Sequence, residues 1–161
     1  MSAGVERGRA RVSAYVYGNI LVLAAVLTAT PHTIEDGHAA VVVVATTVTT
    51  YLAHVVAHAV GGTIGAPQGA ASITRDELRD ALPIASSGSL PAVILLLGAL
   101  TELDPVLVEL VAAGVVIVRL VGIGAVVDRY GGSDRRWSWA TGLLVGLASV
   151  LIVVLKLVFG H

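Results

Sequence analysis

Two threonines and two histidines recur at four-residue intervals within an otherwise apolar stretch: Thr46, Thr50, His54 and His58. On an α-helix this spacing places the four side chains on one slowly drifting face. The stretch that contains them, residues 39–60, is long enough to cross a bilayer, and a lipid-facing surface disfavours imidazoles. This polar stripe (Thr46, Thr50, His54, His58) is therefore predicted to face protein, water or a bound ligand.

Three kinds of chemistry fit the two histidines of the polar stripe. Both imidazoles can hydrogen-bond neighbouring helices, or they can form a proton relay or ion pathway, since histidine exchanges protons near neutral pH beside hydroxyl groups. The His-x3-His spacing also places two imidazoles within reach of one metal or haem. However, the zinc-protease motif needs a glutamate directly after the first histidine, and Val55 stands there. No cofactor is predicted. For the alternative in which a metal is bound, His54 and His58 are the only candidate ligands.

The composition indicates a polytopic membrane protein. Of the 161 residues, 56% are hydrophobic and 13% are charged, whereas soluble domains carry about 25% charged residues. The absence of cysteine excludes disulfides and thiolate ligands. A net charge of −1 argues against nucleic-acid binding. Nine arginines against one lysine, with abundant Ala, Gly and Val, are typical of a GC-rich bacterial genome and predict a multi-pass bacterial inner-membrane protein.

The fold predicted from the apolar segments is an all-α transmembrane bundle that forms a single domain over residues 1–161. Five spans are predicted at residues 12–30, 39–60, 83–100, 105–127 and 137–159. The third is interrupted by Ser86, Ser87, Gly88 and Ser89, so four spans plus a re-entrant segment is the alternative. In a topology with five spans, the N-terminus lies inside and the C-terminus outside. Every loop that contains arginine then lies on the inner side of the membrane, and every loop without arginine lies on the outer side, as the positive-inside rule requires.

Two polar segments flank the start of the third span. Thr74 to Glu77 have the form of a capping box, which predicts a short cytoplasmic surface helix between spans two and three, with Leu78 and Leu82 on one side. Residues 86–89 have two interpretations. Either Ser89 is the N-cap of a helix that has Pro91 in its first turn, or the helix is discontinuous and its amides point at an anion inside the membrane.

Depth along the spans groups the polar residues into layers. At a rise of about 1.5 Å per residue, Asn19, His54 and Arg119 all fall roughly 3–6 Å to the inner side of their span midpoints. A buried arginine needs acceptors, and the candidates are Asn19, Tyr51 and unwound carbonyls near residues 86–88. An outer ion pair is predicted between Glu109 and Lys156. No carboxylate accompanies the inner layer in the sequence, which makes that layer electropositive and favours an anion or a proton-linked group.

The function expected from these residues is a channel- or transporter-like bundle. Its polar path is predicted to be lined by Asn19, Thr50, His54, His58 and Arg119. A single chain with so few spans rarely encloses a pathway by itself. The chain, embedded in the lipid bilayer, is therefore expected to form a homo-oligomer or to bind a membrane partner. Two alternatives remain: a structural or assembly subunit of a membrane complex, which the missing carboxylate favours, and a membrane enzyme with a histidine-ligated metal or haem.

Overall fold

The computed structural model describes residues 3–63, 74–125 and 135–159, and the regular structure in these residues is entirely helical, as predicted. The helices whose bounds lie in these residues are α1 (Ala3–Leu27), α2 (Pro31–Glu35), α3 (His38–Gly61), α4 (Arg75–Asp80), α5 (Leu82–Ser87), α6 (Ser89–Leu100), α7 (Pro105–Val121) and α8 (Arg135–Phe159).

In the described part of the chain, four stretches of helix are long and apolar enough to cross a membrane. They are Gly8–Leu27, His38–Gly61, Arg75–Leu100 and Pro105–Ala125. Helix α8 is 25 residues long as well, but its described apolar part, Gly142–Leu155, is shorter than these four stretches. Many leucines and valines of these helices are half exposed or more, which an integral membrane protein allows because lipid covers them. The membrane class predicted from composition is therefore supported by the fold.

The third apolar helix is longer than predicted. Helices α4, α5 and α6 are separated by single residues, Ala81 and Gly88, and both keep right-handed helical dihedrals (φ −83°, ψ −12° and φ −86°, ψ −12°). The expected capping box is confirmed at Thr74, whose hydroxyl accepts from the Glu77 amide while its own amide donates to Glu77. The predicted short helix therefore exists, but it leads straight into the apolar segment.

The expectation that Ser89 caps the next helix is wrong. Gly88 occupies the N-cap position of α6, and no side chain caps it. The Ser89 hydroxyl instead donates to the carbonyl of Ser86, at 2.9 Å. Because Gly88 keeps helical dihedrals, the chain does not take the extended conformation that a serine N-cap needs.

Helix α1 forms the centre of the bundle. It contacts α3, α5 and α7, whereas α6 packs between α3 and α7, and α8 packs mainly on α7. The short helix α2 packs on α3, α6 and α7. The two ends of the bundle are named here by their short helices: the α4 end, with the start of α1 and the end of α3, and the α2 end, with the end of α1 and the start of α3.

Glycines set the closest helix contacts. A Cβ at Gly18 of α1 would lie 3.0 Å from the Ile84 Cα, and a Cβ at Gly88 would overlap the Thr47 side chain of α3. At the α2 end, a Cβ at Gly98 would lie 2.7 Å from Val108. In lipid, such close approach replaces the hydrophobic effect as the main source of helix association. The bundle is therefore held tightly at both ends.

The small residues of α3 behave differently. Ala45, Thr49, Ala53, Ala57 and Gly61 form a stripe at four-residue spacing, and all five are exposed. The buried face of α3 instead contains Val43, Thr47, Thr50 and Val55.

Candidate functional site

Pro91 opens a gap in the backbone hydrogen bonding of the third apolar helix. In an α-helix, the amide of residue 91 would bond the carbonyl of residue 87, but proline has no N–H. Arg119 of α7 supplies the missing donor: its Nη1 donates to the Ser87 carbonyl at 3.2 Å and to the Ser86 carbonyl at 3.1 Å. The expectation that carbonyls near residues 86–88 accept from Arg119 is confirmed.

Tyr15 of α1 joins Arg119 to the centre of the bundle. Its hydroxyl donates to the Arg119 carbonyl at 3.1 Å, and the Arg119 Cζ lies 5.6 Å from the centre of the tyrosine ring. That distance is within the range of a cation–π interaction. Together these contacts tie α1, α5 and α7 at one level, and we call Tyr15, Asn19, Ser86, Ser87 and Arg119 the Arg119 network.

Asn19 belongs to this network through one side-chain atom only. Its Nδ2 donates to the Tyr15 carbonyl one turn earlier, at 2.7 Å. The side chain is fully buried, and its Oδ1 is the one buried side-chain atom in the described part of the chain that has no hydrogen-bond partner. A buried acceptor without a donor costs about 1–3 kcal/mol.

Thr47 is the residue of α3 that lies level with the Arg119 network. Gly88 contacts the Thr47 side chain, and a Cβ at Gly18 would lie 3.1 Å from the Ser87 hydroxyl, so these residues share one layer with the Arg119 contact. His54 lies seven residues further along α3, about 10 Å nearer the α4 end. The sequence predicted Asn19, His54 and Arg119 in one layer. In the structure, the α3 residue in that layer is Thr47 instead of His54.

The two histidines lie together at the α4 end. Their ring centroids are 4.6 Å apart and the ring planes are inclined by 47°. His54 is half-buried and His58 exposed, and both line an open cavity of about 540 Å³. Thr50, one turn before His54, is buried, and Thr46 is half-buried. The polar stripe thus runs from the bundle interior to this cavity.

A carboxylate lies on the wall of the histidine cavity. Glu77 of α4 lines it together with Ala57, Gly61 and Gly62, and one Glu77 oxygen accepts from the Thr74 amide at 2.8 Å. No sequence pattern predicted this proximity, because it follows from the packing of α4 against α3. The cavity therefore combines two imidazoles with an acidic group.

Glu109 and Lys156 are the remaining predicted site residues. Glu109 is half-buried on α7, and the Lys156 side chain lies outside the described residues, as does the ion pair predicted between them. In residues 3–63, 74–125 and 135–159, as far as they are described, no three side chains of histidine, aspartate or glutamate are placed to hold a metal ion.

The arrangement divides the predicted polar path into two parts with different chemical capacity. The Arg119 network uses its donors on carbonyls of the bundle itself, while the histidine cavity is open and is lined by two imidazoles and a carboxylate. No family model, curated protein or solved structure matches the chain.

Proposed function

We propose that the chain is a five-span membrane protein, with its N-terminus inside and its C-terminus outside, that moves protons or a small ion across the membrane. The orientation is supported by the arginines of the α4 end and the acidic loop at residues 102–104 of the α2 end. Helix α8 provides the fifth span in this proposal, since its 25 residues exceed the length that a bilayer requires.

The histidine cavity carries the proposal. His54, His58 and Glu77 line one open space, and all three can accept and release protons. The stripe continues inward to Thr50, whose side chain is buried. Titratable groups along a membrane helix are expensive to keep unless they have a use, and proton or ion pathways are the commonest one. The cavity is thus assigned as the cytoplasmic mouth of the path.

The half of the bundle towards the α2 end is closed in this conformation. Its interior is an apolar cluster that includes Leu23, Val26, Val43, Leu95 and Val116. A complete path therefore requires either a rearrangement of the helices or a second copy of the chain. The exposed small residues of α3 favour the second copy, because they allow another membrane helix to approach closely.

The test uses purified protein in vesicles that contain a pH-sensitive dye, with a potassium gradient and valinomycin as the driving force. Wild-type protein is expected to acidify the vesicles faster than protein-free vesicles do. The variants His54→Gln and His58→Gln keep the size of the side chain and remove its titration, so the double variant is expected to return to the protein-free rate. His38→Gln, exposed at the opposite end of α3, is the matched control.

Two outcomes contradict the transport proposal. One is a wild-type rate equal to that of protein-free vesicles under proton, sodium and chloride gradients. The other is a double histidine variant as fast as the wild type.

A structural or assembly subunit is the second candidate, and the Arg119 network favours it. Its Arg119 guanidinium and Tyr15 hydroxyl both bond backbone carbonyls of a neighbouring helix, which is what helix association requires. If stability and association are the whole role, substitution of Arg119 lowers thermal stability or the yield of a co-purified partner, while ion flux stays at the protein-free rate. The metal or haem alternative is tested by elemental analysis and by the absorption spectrum of the purified protein.

A further inference from the structure

A second open cleft at the α4 end lies between α1 and the α4–α5 segment. It has a volume of about 450 Å³ and is distinct from the histidine cavity in all of its lining residues: Arg11, Tyr15, Arg79, Leu82, Pro83 and Ser86. Nothing in the proposed transport path uses this cleft.

The cleft is electropositive. The Arg11 Nε donates to Asp80 at 2.7 Å, so one of its two cations is paired. The second, Arg79, is exposed, and no carboxylate in the described part of the chain lies within ion-pair distance of it. Behind the cleft, Arg119 stacks on Tyr15 and bonds the Ser86 carbonyl. Positive charge thus exceeds negative charge around the opening.

Leu82 and Pro83 form the apolar part of the lining, and this part reaches the exposed apolar surface of the bundle. Leu82 is 53% exposed and Pro83 is half-buried beside it. The cleft therefore has a cationic part next to the polar α4 and an apolar part next to the start of the apolar segment. This order matches a phospholipid at the inner surface, with its phosphate at the interface and its acyl chains towards the bilayer centre.

We propose that this cleft binds an anionic phospholipid, with the Arg79 guanidinium on the phosphate and an acyl chain against Leu82 and Pro83. A net positive cleft distinguishes an anionic headgroup from a zwitterionic one, whose own ammonium group cancels much of the attraction. The proposal rests on the membrane insertion stated above, but it does not depend on transport, on the histidines or on a second copy.

The test measures binding of water-soluble short-chain lipids to the purified full-length protein in a non-ionic detergent. Dioctanoyl phosphatidylglycerol, dioctanoyl phosphatidylcholine and inorganic phosphate are titrated separately by calorimetry. Phosphatidylglycerol is expected to bind most tightly. Arg79→Gln is expected to weaken it about tenfold, since it removes a charge-assisted hydrogen bond.

Two further variants separate the contributions. Arg75→Gln removes the same charge one turn earlier on α4. Arg75 does not line this cleft; it lines a neighbouring cavity, which Arg79 and Leu82 also border. The dissociation constant of this variant is expected to stay within about twofold of the wild type. Leu82→Ala removes apolar contact and is expected to weaken lipid binding several-fold without changing the response to phosphate.

Three results would overturn the proposal. The first is equal affinity for phosphatidylglycerol and phosphatidylcholine, which removes the charge argument. The second is equal loss in Arg75→Gln and Arg79→Gln, which indicates diffuse attraction. The third is inorganic phosphate that binds as tightly as the lipid, with no effect of Leu82→Ala, which makes the cleft a site for a free anion. None of these results bears on the flux experiment, so the two proposals fail separately.

Discussion

The two halves of the bundle differ in what holds their helices together: apolar packing in one half and hydrogen bonds between polar groups in the other. Towards the α2 end, α1, α3, α6 and α7 meet through an apolar cluster, and Ile34 of α2 is buried at its edge. Towards the α4 end, the third apolar helix is interrupted at Ala81 and Gly88, and polar groups from three helices bond each other across the gap. The clefts and the histidines all belong to this second half.

The difference shows what polarity requires inside a membrane. An apolar contact can be moved or resized at modest cost, whereas a carbonyl without a donor must find one within the protein. Pro91 creates such a carbonyl and Arg119 satisfies it, so the two residues are linked although 28 positions separate them. We expect the α4 half to be specified by a few contacts, and the α2 half by many interchangeable ones.

The largest expected effect is that of Arg119→Leu. It leaves the Ser86 and Ser87 carbonyls without the guanidinium donor, and we expect a loss of about 2–4 kcal/mol in the free energy of unfolding, measured by SDS titration in mixed micelles. Pro91→Ala restores an amide that can bond the Ser87 carbonyl, so the loss should be smaller in that background. Equal losses in both backgrounds would show that proline and arginine are not coupled.

A smaller effect is expected where glycine permits close packing in the α4 half. Gly88→Ala places a methyl group against Thr47, and overpacking of this kind costs about 1–3 kcal/mol. Thr47→Ala should relieve most of that cost, since the Thr47 hydroxyl bonds only the Val43 carbonyl of its own helix. Gly114→Ala is the control, because in the described residues no atom of another helix lies within 4 Å of its Cβ position. A Gly88→Ala protein as stable as Gly114→Ala would contradict the close contact between α3 and the break.

The smallest effect is expected at Asn19. Asn19→Leu removes the bond from Nδ2 to the Tyr15 carbonyl, but it also removes the buried Oδ1 that has no partner. The two changes oppose each other, so the free energy of unfolding should shift by less than about 1 kcal/mol. A loss of unfolding free energy as large as that of Arg119→Leu would mean that the Asn19 Oδ1 accepts a hydrogen bond in the membrane. The α4 half would then contain more hydrogen bonds than those described above.

The sequence predicted the features that depend on local pattern. The second span, residues 39–60, corresponds to helix His38–Gly61, and the capping box at Thr74 forms as expected, because hydrophobic length and cap chemistry are read within a few residues. The carbonyls that accept from Arg119 were predicted only as one of three alternatives, beside Asn19 and Tyr51, because a serine-rich break in an apolar segment indicates accessible carbonyls but does not show which of them the arginine reaches.

Features that depend on how helices dock were not predictable in the same way. Midpoints of predicted spans assume that each helix is centred in the membrane, and this assumption placed His54 where Thr47 lies. The position of Glu77 beside the histidines arises from the packing of α4 on α3. The missed residues nevertheless left one sequence signal: Pro91 stands four residues after Ser87, which marks the carbonyl that needs a donor.

The Arg119 contact also bears on how the protein enters the membrane during synthesis. Ser86 and Arg119 lie on the two arms of one helical hairpin, formed by α5–α6 and α7 around residues 101–104. Arg119 alone would oppose transfer of α7 into lipid, but within the hairpin its charge meets two carbonyls of the preceding arm. We therefore expect the translocon to release the two arms together, with the arginine already hydrogen-bonded to the preceding arm of its own hairpin.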